Sequence, residues 1–156
     1  MIDIRIPGWG RARIAQLVLD FNGTLARDGR LLPGVRPRLA RLAHLAELHV
    51  LTADTFGGAR AELRGVRCRL AILAPRRQDF AKARYVRALG PSRVAAIGNG
   101  NNDRCMLAAS ALGLAVLGAE GAAAATVRAA DACYADVRDA LDALLKPRRL
   151  IATLRR

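Results

Sequence analysis

Aromatic side chains are scarce in this sequence, which has three Phe, two Tyr and one Trp among its 156 residues. Proteins that bind single-stranded nucleic acid usually stack the bases on aromatic side chains. The net charge of +13 would favour nucleic acid, but the arginines are scattered along the chain and form no single stripe. We therefore expect no nucleic-acid partner. A basic field of this kind equally favours small phosphorylated substrates.

Cysteine is also rare, and no long apolar run is present. The three cysteines, Cys68, Cys105 and Cys133, are odd in number and widely spaced, which argues against a disulfide framework or a zinc site. We expect buried free thiols in a reducing cytosol. The longest segment without a charge, 105–119, is too short and too interrupted by glycine to cross a bilayer. With no apolar signal core at the N-terminus, the sequence predicts a cytoplasmic protein without a membrane segment.

Lysine is nearly absent, because 24 of the 26 basic residues are arginine. In such a chain, a retained lysine is a candidate for a role that needs a compact charge on a flexible stem. Lys146 lies beside Pro147 in a basic C-terminal tail, 146–156, whereas Lys82 lies within a predicted helix. We therefore single out Lys82 as a candidate site residue.

Apolar segments of strand length alternate with segments of helical periodicity along the whole chain. This alternation predicts a single α/β domain over 1–156, built on a three-layer, Rossmann-like parallel sheet with right-handed crossovers. An N-terminal β-hairpin is predicted in addition. The predicted strands are 2–6, 11–20, 49–52, 68–73, 94–97, 114–117 and 133–134, and the predicted helices are 35–47, 56–63, 79–89, 104–111, 120–130 and 137–145.

Polar side chains follow several of the predicted buried strands. Asp20 ends the apolar run 17–19, Thr52 ends the next strand, and the loop Asn99–Asp103 follows a third. Ligands of open α/β sheets bind at the carboxyl ends of the strands, where a carboxylate can act as a nucleophile or hold a metal. A carboxylate, a hydroxyl, a lysine and a second acidic loop suit metal-assisted phosphoryl transfer. The simpler alternative is that Asp20 only begins a turn.

These segments resemble the four motifs of the haloacid dehalogenase superfamily in order and spacing. They are Asp20-Phe21-Asn22-Gly23-Thr24, Leu51-Thr52-Ala53-Asp54, Lys82 and Gly98-Asn99-Gly100-Asn101-Asn102-Asp103. The second and fourth segments are closest to the phosphorylation domain of P-type ATPases, and the whole chain resembles the small soluble P-type-ATPase-like proteins. The resemblance implies one hydrolase domain without a cap domain, because the intervals between the motifs hold only one or two predicted elements.

The resemblance implies a Mg²⁺-dependent phosphatase for a phosphate ester or anhydride, in which Asp20 forms an aspartyl-phosphate. Thr52 would donate a hydrogen bond to a phosphoryl oxygen, and Lys82 would neutralise charge between Asp20 and the phosphate. Phe21 and Gly23 would offer backbone amides. The implied residues are Asp20, Thr52 and Lys82 for catalysis; Phe21, Asn22, Gly23, Thr52, Ala53, Lys82 and Asn102 for substrate; and Asp20, the Asn22 carbonyl, Asn99 and Asp103 for the metal.

Two positions depart from the family pattern by carrying Asn in place of Asp. Asn22 replaces the general acid–base residue, whose help is typically worth about 10²–10⁴-fold in rate, so we expect slow turnover and a long-lived aspartyl-phosphate. Asn99 replaces a direct metal ligand, so we expect weaker Mg²⁺ binding, with Asp103 as the direct carboxylate ligand. Asp28, in a predicted flap over 27–34, is a candidate substitute acid.

Three functions stay open from the sequence: a phosphatase, an ATPase-like self-phosphorylating protein, and a weakly catalytic module that senses phosphate or binds a partner. Without a cap the site would be open, and capless relatives commonly oligomerise, so the resemblance also implies a homo-oligomer. Trp9, Leu150, Ile151 and Leu154 are candidates for that contact or for packing on their own domain.

Overall fold

The computed structural model describes residues 1–156 and shows strands alternating with helices. The strands are β1 (Ile2–Ile6), β2 (Gly10–Ile14), β3 (Gln16–Asp20), β4 (Ala26–Arg27), β5 (Arg30–Leu31), β6 (Glu47–Thr52), β7 (Arg69–Ile72), β8 (Val94–Gly98), β9 (Leu112–Val116) and β10 (Ala132–Tyr134). The helices are α1 (Val35–Leu42), α2 (Ala59–Glu62), α3 (Gln78–Ala88), α4 (Arg104–Ala109), α5 (Ala124–Ala129), α6 (Val137–Leu145) and α7 (Pro147–Leu154). None of these helices combines the length and hydropathy that a membrane crossing requires.

A six-stranded parallel sheet forms the centre of the fold, in the order β10-β9-β8-β3-β6-β7. Helices α1 and α6 pack on one face, and α3, α4 and α5 pack on the other. Leu17, Val18 and Leu19 of β3 are fully buried because both faces of the sheet are covered, which explains their continuous apolar run. The strand order changes direction at β3, and this placement opens a crevice at the carboxyl end of that strand.

The predicted three-layer parallel sheet and N-terminal β-hairpin are confirmed. Strands β1 and β2 pair antiparallel, with Ile2 opposite Ile14. Between β3 and α1 the chain forms only the small β4-β5 hairpin, at the position of the predicted flap, and no cap domain is present. The carboxyl edge of the sheet is therefore not covered by a second domain.

The segment that we predicted as a basic tail contains helix α7. Its Leu150 is completely buried, and Ile151 and Leu154 pack against the same core, as does Trp9 of the β1-β2 turn. All four candidates for an oligomer contact therefore pack within their own domain.

Five of the six predicted helices have different bounds in the structure, and two of them are five residues shorter. Helix α1 ends at Leu42, because the chain then enters β6 at Glu47. The helix predicted over 120–130 begins only at Ala124. The residues before it form a turn in which Gly118 and Gly121 have φ of +58° and +75°, a left-handed conformation that favours glycine.

The cysteines are unpaired, as predicted, but the expectation that they are buried was wrong. Cys133 is exposed, and Cys68 and Cys105 are partly buried. The physical reason for Cys133 is its place on β10, an edge strand of the sheet, where the side chain faces solvent.

His49 lies inside the protein on β6 and is 1% exposed. Its Nε2 lies 2.6 Å from Oε1 of Gln16, and its Nδ1 lies 3.0 Å from the hydroxyl of Tyr85. These partners suit a neutral ring, in which Nε2 donates to Gln16 and Nδ1 accepts from Tyr85. Burial lowers the pKa of His49 below 6.5, and the nearby Glu47 carboxylate offsets this effect only in part.

We predict that His49 makes the fold sensitive to acid. The unfolded chain binds a proton at this ring below about pH 6.5, whereas the folded chain keeps the ring neutral. The stability from the neutral ring is therefore complete above that pH and is lost as the pH falls toward the lower folded pKa. In urea titrations between roughly pH 6.5 and 5, His49→Gln should lose less free energy of unfolding than the wild type. His44→Gln, at an exposed histidine, is the matched control, and equal slopes in all three proteins would contradict the prediction.

Candidate active site

Asp20 is the last residue of β3 and lies at the carboxyl edge of the sheet, where it is 6% exposed. Its Oδ1 accepts a hydrogen bond from Nζ of Lys82 at 2.7 Å, and its Oδ2 accepts one from Oγ1 of Thr24 at 3.0 Å. Both carboxylate oxygens are therefore held in a defined orientation.

Lys82 is completely buried on α3, and its ammonium group bridges two carboxylates. Its Nζ lies 2.7 Å from Oδ1 of Asp20 and 2.6 Å from Oδ1 of Asp103. Burial lowers the pKa of Lys82, but the two carboxylates outweigh burial, so the pKa is raised above its usual value. An ammonium group has three N–H donors. Two are used here, so one is left for a phosphoryl oxygen.

Asp103 is also completely buried and uses both of its oxygens within the protein. Its Oδ1 accepts from Lys82, and its Oδ2 accepts from the backbone N–H groups of Asn99 at 3.0 Å and Gly100 at 2.9 Å. Burial, together with the charge of Asp20, raises the pKa of Asp103 to about 7. The predicted role of Asp103 as a direct metal ligand would require one of its oxygens to exchange these hydrogen bonds for the cation.

Gly98 makes this burial of Asp103 possible. A Cβ at residue 98 would lie 2.5 Å from Cγ of Asp103, which is closer than real Cβ contacts come. The glycine at the end of β8 therefore allows the loop to fold its carboxylate back against the strand.

Oxygen atoms with too few hydrogen-bond donors meet beside Asp20. Thr24 Oγ1 lies 3.0 Å from Asp20 Oδ2 and 3.2 Å from Asn99 Oδ1. One hydroxyl proton cannot be donated to both acceptors. The amide of Asn99 is oriented by its Nδ2, which donates to the Gly121 carbonyl at 3.0 Å. The buried Oδ1 of Asn22 has no hydrogen-bond partner.

This donor-poor set suits a hard divalent cation, which prefers oxygen ligands. When both carboxylates are ionised, Asp20 and Asp103 together with Lys82 carry a net charge of −1, which a cation would offset. No group of three or more His, Cys, Asp or Glu side chains is gathered there. A cation would therefore be held by the Asp20 carboxylate together with the backbone carbonyl of Asn22 and the side-chain oxygen of Asn99.

Thr52 ends β6 next to the residue that pairs with Asp20 in the sheet. It is 3% exposed, and its Oγ1 accepts a hydrogen bond from the N–H of Asp54 at 2.9 Å. Its own hydroxyl proton remains available for a phosphoryl oxygen. Asp54 Oδ1 accepts from the N–H of Ala59 at 3.0 Å and so joins the loop through Ala53 to the start of α2.

The remaining predicted substrate residues lie at the same carboxyl edge of the sheet, but they differ in which of their groups are free to contact a ligand. Phe21 is completely buried and packs in the main core, which leaves only its backbone for a ligand. The N–H of Gly23 already donates to the Ala26 carbonyl at 2.8 Å, so the phosphate contact predicted for it would require that bond to break. Asp28 is exposed at the β4-β5 turn and pairs with Arg27, without contact to Asp20.

Gln78 is a neighbour of the site that the sequence analysis missed. Asn102 is partly buried, and its Nδ2 donates to Oε1 of Gln78 at 2.8 Å. Gln78 precedes Lys82 by four residues, a spacing that places two side chains on the same face of a helix. That spacing was the signal in the sequence that could have identified it.

No known family profile matches the chain. Two proteins of Methanocaldococcus jannaschii match parts of it. Uncharacterized protein MJ0073 is 48% identical over 63 residues, which are 40% of this chain and 68% of that protein. Uncharacterized protein MJ0072 is 49% identical over 39 residues, which are 25% of this chain and 89% of that protein. The chain belongs to the same family as these two archaeal proteins.

Solved structures match most of the chain. A Streptomyces avermitilis protein described as a haloacid dehalogenase (HAD) family hydrolase matches with a TM-score of 0.66 at 24% identity, over 84% of each chain. This chain has the haloacid dehalogenase fold. The 3-deoxy-D-manno-octulosonate 8-phosphate phosphatase of Moraxella catarrhalis, solved with magnesium and phosphate ions, matches at 0.60 and 17% identity over 91% of this chain and 94% of that one.

The same haloacid dehalogenase fold occurs within a much longer protein. A zinc-transporting P-type ATPase matches with a TM-score of 0.59 at 21% identity. The match covers 78% of this chain and 20% of the ATPase. The likeness is therefore to one domain of that protein.

We predict that Lys82→Met lowers the free energy of unfolding by about 3–5 kcal/mol, because loss of one partner leaves a buried charge uncompensated. Adding Asp103→Asn should recover part of this loss. The second change removes one buried negative charge, while the Asn side-chain oxygen can still accept from the N–H groups of Asn99 and Gly100. Urea unfolding followed by circular dichroism measures both effects.

Lys146→Met is the matched control, because Lys146 is exposed. Its effect should stay within about 0.5 kcal/mol, as is usual for surface substitutions. The buried charge bridge would be contradicted if Lys82→Met and Lys146→Met lost equal free energies of unfolding. It would also be contradicted if Asp103→Asn recovered none of the loss caused by Lys82→Met.

Proposed function

We propose that this protein is a Mg²⁺-dependent phosphatase that acts on a small phosphate ester or anhydride through an aspartyl-phosphate on Asp20. The observation that carries the proposal is the orientation of the Asp20 carboxylate at the carboxyl end of β3. Hydrogen bonds from Lys82 and Thr24 hold the carboxylate in this orientation. Thr52 is the residue after Leu51, which pairs with Asp20 on the neighbouring strand β6. An oriented carboxylate beside unused donors suits attack on phosphorus.

In the first step, an oxygen of Asp20 forms a bond to phosphorus while the bond from phosphorus to the leaving oxygen breaks. The third N–H of Lys82 and the hydroxyl of Thr52 donate to the phosphoryl oxygens and stabilise their charge. A bound Mg²⁺ would offset further phosphate charge. In the second step, water attacks phosphorus, the bond from phosphorus to the Asp20 oxygen breaks, the water proton passes to the departing phosphate, and the Asp20 carboxylate is regenerated.

Asn22 limits both steps because an amide cannot transfer a proton. Substrates whose leaving group departs without protonation, such as acetyl phosphate and p-nitrophenyl phosphate, should therefore react best. The unpartnered Oδ1 of Asn22 can accept a hydrogen bond from an attacking water but cannot take its proton.

The same observation favours a second candidate, an ATPase-like protein whose aspartyl-phosphate persists. The likeness to one domain of a zinc-transporting P-type ATPase supports this candidate. A weakly catalytic module that senses phosphate is the third, and it is favoured by the loss of charge at Asn22 and Asn99. Turnover and trapped phosphorylation distinguish the three.

We predict that the protein hydrolyses p-nitrophenyl phosphate and acetyl phosphate only with a divalent cation, and that Asp20→Asn abolishes this turnover. Asp139→Asn, at an exposed carboxylate on α6, is the matched control and should retain the wild-type rate. Intact mass after acid quenching should show phosphorylation of the wild type and none of Asp20→Asn. Hydrolysis that survives in Asp20→Asn would contradict the proposal, as would a folded wild type with neither turnover nor phosphorylation.

We predict further that Asn22→Asp raises the steady-state rate by about 10²-fold or more, since it restores a group for proton transfer. The phosphorylated fraction should fall at the same time, because its hydrolysis becomes faster. Quenched-flow mass spectrometry with acetyl phosphate measures both quantities. An unchanged rate with an unchanged phosphorylated fraction would show that proton transfer at residue 22 does not limit turnover.

A further inference from the structure

A turn between β9 and α5 brings an additional carboxylate to the site. The turn spans residues 118–121, and the N–H of Gly121 donates to the carbonyl of Gly118 at 3.4 Å. Glu120 lies within it. The sequence analysis placed Glu120 at the start of a helix, where its side chain had no connection to the motifs.

The turn is fastened to the candidate metal residues. Nδ2 of Asn99 donates to the Gly121 carbonyl at 3.0 Å, and the N–H of Ala123 donates to the Asn99 carbonyl at 2.9 Å. A Cβ on Gly118 would lie 3.4 Å from the carbonyl oxygen of Gly23, so the turn also lies against the loop after β3. The position of residues 118–121 is therefore set by the site itself.

The Glu120 carboxylate faces the side chain of Asn99. A Cβ on Gly23 would lie 2.7 Å from Oε2 of Glu120, 2.7 Å from Nδ2 of Asn99 and 2.8 Å from Oδ1 of Asn99, so the Glu120 carboxylate and the Asn99 amide group border the same small space. This space exists because residue 23 is a glycine, with φ of +82°. Any larger side chain there would fill it.

Glu120 has no cationic partner in the protein. Arg27 and Arg138 line a small cavity together with Glu120 and Gly23, but they pair with Asp28 and Asp136. A carboxylate with no counter-ion, held beside an amide oxygen that shares its only donor with Asp20, is a position that attracts a cation. The side chain is exposed, so it can adjust to a ligand.

We infer that Glu120 supplies the second negative charge of the divalent-cation site, in place of the charge that Asn99 lacks. The inference rests on the proposed function, because it concerns the same cation. With the carboxylates ionised, the buried groups Asp20, Asp103 and Lys82 sum to −1, and Glu120 brings the total to −2, which balances one divalent cation. Asn99 then contributes a neutral oxygen and fixes the turn through its amide N–H group.

The test measures the binding of two cations at constant ionic strength. Mn²⁺ binding is measured from the decrease of the electron paramagnetic resonance signal of free Mn²⁺, and Mg²⁺ binding is measured by calorimetry. Glu120→Gln should weaken both by about tenfold or more, the range found when groups around a metal site are removed. Glu47→Gln makes the same change at the opposite end of β6 and should leave the affinity unchanged. Without metal, Glu120→Gln and the wild type should have equal melting temperatures, because Glu120 is exposed and unpaired.

A double-mutant cycle between Asn99 and Glu120 is the second part of the test. Asn99→Asp restores the missing charge and should tighten binding, and Glu120→Gln should then cost less than it does in the wild type. Equal affinities of Glu120→Gln and Glu47→Gln would overturn the role of Glu120 while the proposed function stands. A wild type that binds Mn²⁺ no better than Asp20→Asn would overturn the cation site, and with it the proposed function.

Discussion

The buried ammonium group of Lys82 is the interaction on which the rest of the site depends. It joins Asp20 at the end of β3 to Asp103 in the loop after β8, from a third element, α3. Asp103 in turn holds the backbone of Asn99 and Gly100, and Asn99 holds the turn that contains Glu120. A single cation therefore orders three loops of the sheet edge through a continuous series of hydrogen bonds.

Under the proposed function, the site keeps the oxygen atoms of a phosphoryl-transfer centre and lacks two of its charges. Asn22 and Asn99 each keep an oxygen where the resemblance leads one to expect a carboxylate. The first change removes a proton-transfer group, and the second removes a charge near the metal position. These losses act on different steps, since one concerns proton movement and the other concerns cation affinity. A carboxylate on a neighbouring turn can compensate for the second loss but leaves the first in place.

The central features of the fold could be predicted from the sequence because they depend on local pattern. The buried run 17–19 indicated a strand covered on both faces, and the polar residue after it indicated the ligand edge. The place of Glu120 could not be predicted in this way, because the alanine-rich residues 122–130 favour a helix with an earlier start. Two glycines in left-handed conformation delay that helix until Ala124. The spacing of Gln78 and Lys82 indicates only that both side chains share one face of α3, and the contact of Gln78 with Asn102 depends on how that helix docks.

The scarcity of lysine also gives the protein a built-in chemical probe. Lys82 is inaccessible, and the exposed Lys146 is the other lysine of the chain. Amine-acylating reagents should therefore label Lys146 and the N-terminal amine at once, and should label Lys82 only when α3 separates from the sheet edge. The slow phase of labelling would then report, at a single residue, how often the centre of the site opens in the native state.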